Sequence, residues 1–272
     1  MGSFAKALGQ VASRGFESES ARILRTARAN KVPGALSSRL EATLKAEHNM
    51  RAFGLGTAAS MASRARYGRF TKAMHAVYAA MEQEFDRSAA SSPAVGLVWG
   101  RHGPLLRRAE KLQEDLADVG VRVTSGEGAD SLTPATEAYV AAICAAGEAD
   151  RSCGAAGSAR LLGHLYCRYF ADLYGGQMLS RPYRAALGLP SGTPRHYSFD
   201  FGERGRVGLI EDIYVAINEA GELIPDGAKE EAVHECRLAF RHNVAVYGEE
   251  PFYLDATRGA AKMVLGLATG RS

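Results

Sequence analysis

Apolar residues recur at three- and four-residue steps through most of this chain, as in Phe70, Met74, Val77, Tyr78, Met81 and Phe85, and again in Leu161, Leu165, Tyr169 and Leu173. That is the period of an α-helix with one buried face. It predicts helices over residues 38–53, 63–87, 93–119, 134–149, 157–187, 206–219, 226–248 and 254–267. Start signals agree with it. Ser38 with Glu41 three residues on forms a capping box, Thr133 precedes Pro134 at a first helical position, and Pro225 and Asp226 precede a long periodic run. Only residues 197–201 alternate as a strand does, and one isolated strand makes no sheet. The punctuations at 125–131 and 189–195 are too short to link domains, so the fold class is all-α, a single multi-helical domain.

Charge separates the N-terminus from the rest. The first forty residues hold seven basic side chains against Glu17 and Glu19, so the other 232 carry 26 basic and 28 acidic residues, a balance of −2 out of +3 for the whole chain. A body that is not basic does not point to nucleic acid. Residues 1–36 read as a basic, acid-poor amphipathic extension with Phe4, Leu8 and Val11 at helical spacing, an organelle-targeting composition for mitochondrion or plastid; an ordinary amphipathic helix on a cytoplasmic protein has the same pattern. Residues 37–268 read as the helical domain. No run reaches the ~20 apolar residues of a membrane-spanning helix. Cys144, Cys153, Cys167 and Cys236 make no CxxC pair and read as free thiols.

The most informative segment is 163–177, in which Gly175 and Gly176 interrupt a helical pattern that resumes at Gln177. Each glycine costs about 1 kcal/mol in a helix interior. A helix bearing two is kinked or lies against something flat or bulky. Asp172 follows Arg168 by four residues, an ion-pair spacing on one helix face. From this segment alone, a surface pair beside a packing kink is an equal account. His48 follows Leu40 and Leu44 at four-residue steps, which suits a hydrogen-bonded core histidine as well as a ligand.

The run Leu165-Tyr166-Cys167-Arg168-Tyr169-Phe170-Ala171-Asp172-Leu173-Tyr174-Gly175-Gly176-Gln177 resembles the distal-helix signature of the heme oxygenase family, Tyr-x-Arg-Tyr-x-Gly-Asp-Leu-x-Gly-Gly-Gln. Phe70 to Glu84 is similar to that family's second helix, and Ala239-Phe240-x-x-Asn243-x-x-x-Tyr247 to its last core helix; the resemblance spans residues 37–250. It implies a helical domain with heme between a proximal and a distal helix, opened with oxygen and external electrons to biliverdin, carbon monoxide and iron. It further implies His48 as the axial ligand of the heme iron. Asp172 would hold a water that donates to iron-bound oxygen, Arg168 and Tyr166 would orient that water, and Gly175, Gly176 and Ala171 would face the heme. With no nucleotide-binding glycine motif in the chain, electrons would come from a ferredoxin or flavoprotein reductase.

The chain departs from the family pattern in two places. Ala171 stands where the family keeps a glycine, narrowing oxygen access. At the positions that present basic residues to the heme propionates the later helix offers Glu211, Asp212 and Val215, leaving Lys45, Arg204 and Arg206 as substitutes. These departures motivate an alternative, an inactive relative acting as a heme carrier or as a subunit of a larger assembly. A third reading is a di-iron carboxylate site, because Glu231-x-x-His234 puts both side chains on one helix face. The basic stretch from Arg101 to Lys111 reads as a solvated helix face.

Overall fold

Helices form where the periodicity places them, and their ends are set by side chains from elsewhere in the chain. The computed structural model describes residues 27–47, 50–121, 132–154, 157–249 and 252–270. Over these residues run α1 Leu36–Glu47, α2 Met50–Ser60, α3 Arg64–Ser88, α4 Pro93–Leu106, α5 Ala109–Asp118, α6 Pro134–Ser152, α7 Leu161–Tyr174, α8 Ser180–Leu187, α9 Gly205–Glu222, α10 Asp226–Gly248 and α11 Phe252–Ala268. Among the described residues there is no strand. The basic targeting-type segment and His48 lie outside the described residues.

Several expected boundaries are corrected by tertiary contacts. The helix expected over 93–119 is two, because the Glu82 carboxylate reaches from α3 to accept the backbone N–H groups of Arg108 (2.5 Å) and Ala109 (2.9 Å), starting α5 with a cap from another helix. The helix expected from 157 starts at Leu161, where the Asp150 carboxylate accepts from the N–H of Arg160 and of Leu161 at 2.8 and 3.0 Å. It stops at Gly175, turns through a short 3-10 segment, Gly176–Leu179, and resumes as α8. The paired glycines therefore break the helix. The capping box at Ser38 is not formed: α1 begins at Leu36, Ser38 Oγ donates to the Ala35 carbonyl, and Glu41 turns inward. Thr133 does cap α6, accepting from Thr136 N.

Helix α2 continues to Ser60, past the expected end at residue 53, although its glycines at 54 and 56 weaken a helix. Tertiary packing requires one of them: a Cβ on Gly56 would lie 2.6 Å from the Tyr247 ring. The strand-like stretch at 197–201 is a 3-10 turn, Arg195–Tyr197, followed by extended backbone. Its alternation has another cause. Tyr197 and Phe199 are buried at the core edge, and the carbonyls of His196 and Ser198 accept from Arg108 at 3.2 and 2.6 Å rather than from a partner strand.

Helix α7 lies at the centre. It is apolar on nearly all sides, and every residue from Leu161 to Tyr174 is buried except Ala171. It crosses α10 closely: a Cβ on Gly163 would lie 2.6 Å from both the Ala232 carbonyl oxygen and the Cys236 nitrogen. The body reaches back to Ala27 rather than beginning at 37. Glu211 on α9 accepts from the N–H of Arg28 (2.8 Å) and Ala29 (2.9 Å), and Asn218 donates to the Ala29 carbonyl.

Candidate active site

Two charged residues on the central helix cannot be buried without partners. Asp172 and Arg168 have side chains only 5% and 4% exposed, 3.7 Å apart, so the surface-pair reading fails. The partners come from two other helices. From α3, the Tyr78 hydroxyl donates to Asp172 Oδ2 in a short hydrogen bond and accepts from Arg168 Nη2 at 3.2 Å. From α10, Asn243 Oδ1 accepts from Arg168 Nη1 at 3.0 Å. Burial, and then the Asp172 carboxylate, hold the Tyr78 phenol well above its ordinary range, so it stays a proton donor to that carboxylate.

Beside this network the central helix opens to solvent at one residue, Ala171, adjacent in sequence to Asp172. One turn further, the Tyr174 carbonyl accepts from the half-buried Arg206 guanidinium. Lys45 on α1 is 71% exposed, with Nζ 3.6 Å from Glu41 Oε1. The arrangement is a buried carboxylate with its own proton donors, next to the one exposed residue of the central helix, with the Arg206 guanidinium one turn further along it. It can manage a proton at Asp172.

Not all of the expected site residues converge. Tyr166 does not face Asp172: its hydroxyl donates to Glu41 at 2.6 Å, in a separate buried cluster with Tyr214 and Tyr174. Gly176 does not present bare backbone to a ligand, because the Tyr197 ring occupies the space a Cβ would need. Gly175 is buried and closes α7, its N–H donating to the Ala171 carbonyl at 2.9 Å. Of the substitute bases, Arg206 reaches the Tyr174 carbonyl one turn from Ala171, Lys45 is exposed beside Glu41, and Arg204 pairs with Asp212 on the surface. Glu211 is committed to the N-terminal segment and Val215 is partly exposed.

Sequence reasoning missed Tyr78 and Asn243 as site residues, although both stand in the segments that carry the resemblance. It also misjudged Arg108, which is no solvated residue: at 2% exposure its guanidinium stacks on Phe199 at 3.8 Å and donates to four backbone carbonyls. Glu231 pairs with Arg160 at the surface, and among the described residues no group of three or more His, Cys, Asp or Glu could hold a metal, so the di-iron arrangement is not formed there. The four cysteines are free, two buried and two exposed. No helix among the described residues is long and apolar enough to cross a membrane.

The all-helical fold is the one that the sequence resemblance implies, and the Asp–Arg pair it singled out is buried in a network completed by Tyr78 and Asn243. The chain belongs to the heme oxygenase family, whose model matches residues 35–249. It is 27% identical to heme oxygenase 1 of Homo sapiens over 177 residues, 65% of this chain and 57% of that protein, so it spans little more than half of that relative's length. It is 30% identical to heme oxygenase of Pyropia yezoensis over 191 residues, covering 67% of this chain and 71% of that protein. Among solved structures, heme oxygenase from Leptospira interrogans superposes with a TM-score of 0.63 at 26% identity, covering 79% of this chain and all of that one. Heme oxygenase 2 from Chlamydomonas reinhardtii, solved without heme, gives 0.67 at 21% identity over 80% and 98%, a likeness of fold.

Proposed function

We propose that the protein binds heme against α7 and opens it oxidatively to biliverdin, carbon monoxide and iron, with electrons from a ferredoxin or flavoprotein reductase. The observation that carries this reading is the buried Tyr78–Asp172–Arg168–Asn243 network beside the solvent opening at Ala171. The residues suit the substrate: Arg206 and Lys45 would take its propionates, and His48, just beyond α1, would hold the iron. Bound heme supplies the site for oxygen activation. The protein's part is to orient a proton donor. Tyr78 and Arg168 fix the Asp172 carboxylate so that it can hold a water at the opening, and Asn243 fixes Arg168. Tyr166 stands outside that role. The basic, acid-poor N-terminus supports delivery to a mitochondrion or plastid, tested by imaging a fusion of residues 1–36.

The test is an absorption titration with hemin of the wild type, His48→Ala and Ala171→Phe, followed by reductant in air. A Soret band that depends on His48, is weakened by Ala171→Phe and decays into a biliverdin spectrum supports the reading. A His48-dependent band that never decays favours a heme carrier, the reading suggested by Ala171 and by Glu211, Asp212 and Val215 on α9. No band in the wild type rejects both.

A further inference from the structure

A run of aromatic rings leads away from Asp172. Tyr78, whose hydroxyl donates to that carboxylate, meets Tyr169 edge to face with centroids 5.2 Å apart. Tyr169 lies 6.2 Å from Trp99, the only tryptophan in the chain. All three rings are buried. At the far end the Trp99 indole N–H donates to Asp86 Oδ1 at 2.7 Å, and the Arg107 guanidinium lies over the indole at 5.2 Å. Asp86 and Arg107 line an open surface groove with Ala76, Ala80 and Val140. Each end of the run therefore has a carboxylate at hydrogen-bond distance, while the buried Tyr169 hydroxyl between them has no hydrogen-bond partner among the described residues.

We propose that Tyr78, Tyr169 and Trp99 form a conduit that carries single oxidising equivalents from the Asp172 end of the site to the groove at Asp86. The proposal rests on the function above only for its oxidant, a one-electron oxidant of the class that an iron porphyrin forms with a peroxide. That oxidant gains one electron from Tyr78, whose phenolic proton passes to Asp172 and leaves a neutral phenoxyl. An electron then crosses the Tyr169 ring from Trp99 to the phenoxyl, which recovers its proton from Asp172. The indole proton passes to Asp86, and the neutral indolyl radical is quenched at the groove by one electron from a small reductant such as a thiol, with return of the proton from Asp86. In sum, one electron moves from the reductant to the oxidant and the protein is restored. Among the described residues no acceptor is hydrogen-bonded to the Tyr169 hydroxyl, so Tyr169 serves as a bridge rather than a radical site.

Two arms test this, one without heme. In the first, azidyl radicals generated by pulse radiolysis oxidise Trp99 in the full chain, reading the same path in the opposite sense. The expected result is a first-order relaxation of the indolyl band, matched by growth of a phenoxyl band, to an equilibrium in which both radicals are present, so that an electron taken up at the groove empties the path toward Trp99. The step persists in Tyr169→Phe, which keeps the ring. It is lost in Tyr169→Leu, and Tyr78→Phe loses the phenoxyl product; circular dichroism verifies that each variant is folded. Absence of the first-order step in the wild type, or an unchanged step in Tyr169→Leu, overturns the conduit. In the second arm, protein loaded with hemin is treated with hydrogen peroxide and a nitroso spin trap, and the adducts are mapped by mass spectrometry. The adduct is expected on Trp99, shifting to Tyr78 in Trp99→Phe; adducts scattered over exposed Tyr253 alone overturn it. Failure of hemin to bind removes the proposed function, while the azidyl arm still decides the conduit.

Discussion

A buried carboxylate keeps its place through the donors around it, and Asp172 has few to lose. Its hydrogen bond comes from Tyr78, with Arg168 Nη2 3.7 Å from Oδ1. Tyr78→Phe is therefore expected to lower the unfolding free energy by about 1–2 kcal/mol in denaturant titration and, under the proposed function, to reduce biliverdin formation, because the ring packing survives and only the donor is gone. Arg108 is the stricter case. Replacing it with Met keeps apolar contact with Phe199 but leaves the carbonyls of Leu105, Leu106, His196 and Ser198 without this donor, and a loss of about 3 kcal/mol or more is expected at the denaturation midpoint. The two residues differ in legibility. The four-residue spacing and nearby glycines drew attention to Arg168 and Asp172. Arg108 sits in a basic stretch like any solvated one, and nothing local marks that the carbonyls of the 195–199 turn will close over it.

At the level of elements, the contact that centres the fold is α7 against α10. Gly163 brings the two backbones together, so Gly163→Val forces them apart and is expected to cost about 1–3 kcal/mol, read as a lower Tm. The same pair of helices is joined by His164 Nε2 and Glu235 Oε1 at 3.1 Å. Burial raises the Glu235 pKa, but the hydrogen bond and electrostatics of His164 outweigh it and hold the carboxyl below the ordinary 4.5. A depressed carboxyl contributes stability that is present above the unfolded pKa and lost as pH falls through the folded one. Stability is thus expected to drop as pH falls below 4.5, with a shallower drop in His164→Leu in acid titrations. Helix existence was legible from the apolar period, since that pattern is local. Helix ends at Ala109 and Leu161 were not, because their caps, Glu82 and Asp150, are supplied by other elements.

Across the whole molecule, ten tyrosines have phenols that burial raises above the ordinary 10.0. A raised folded pKa means stability fully present below 10.0 and lost as pH rises beyond it, because only the unfolded chain ionises easily there. Ultraviolet titration is expected to show these phenolates emerging in one cooperative step that coincides with loss of helical circular dichroism; gradual ionisation with the helices intact would contradict the buried placement. The chain's own pattern of apolar residues settled that it folds as helices and that Gly175 and Gly176 disturb the central one, since the helix period and the backbone cost of the two glycines act within a few residues, while the complete break there came from the structure. It also marked Asp172 and Arg168. Only the tertiary structure decided what those two residues become. Tyr78 and Asn243 lie 94 and 75 residues away from Asp172 and Arg168, respectively, and Ala171 is exposed because no neighbouring element covers that one position of α7. Burial, hydrogen-bond partnership and exposure depend on what packs from outside a segment, which no local pattern records.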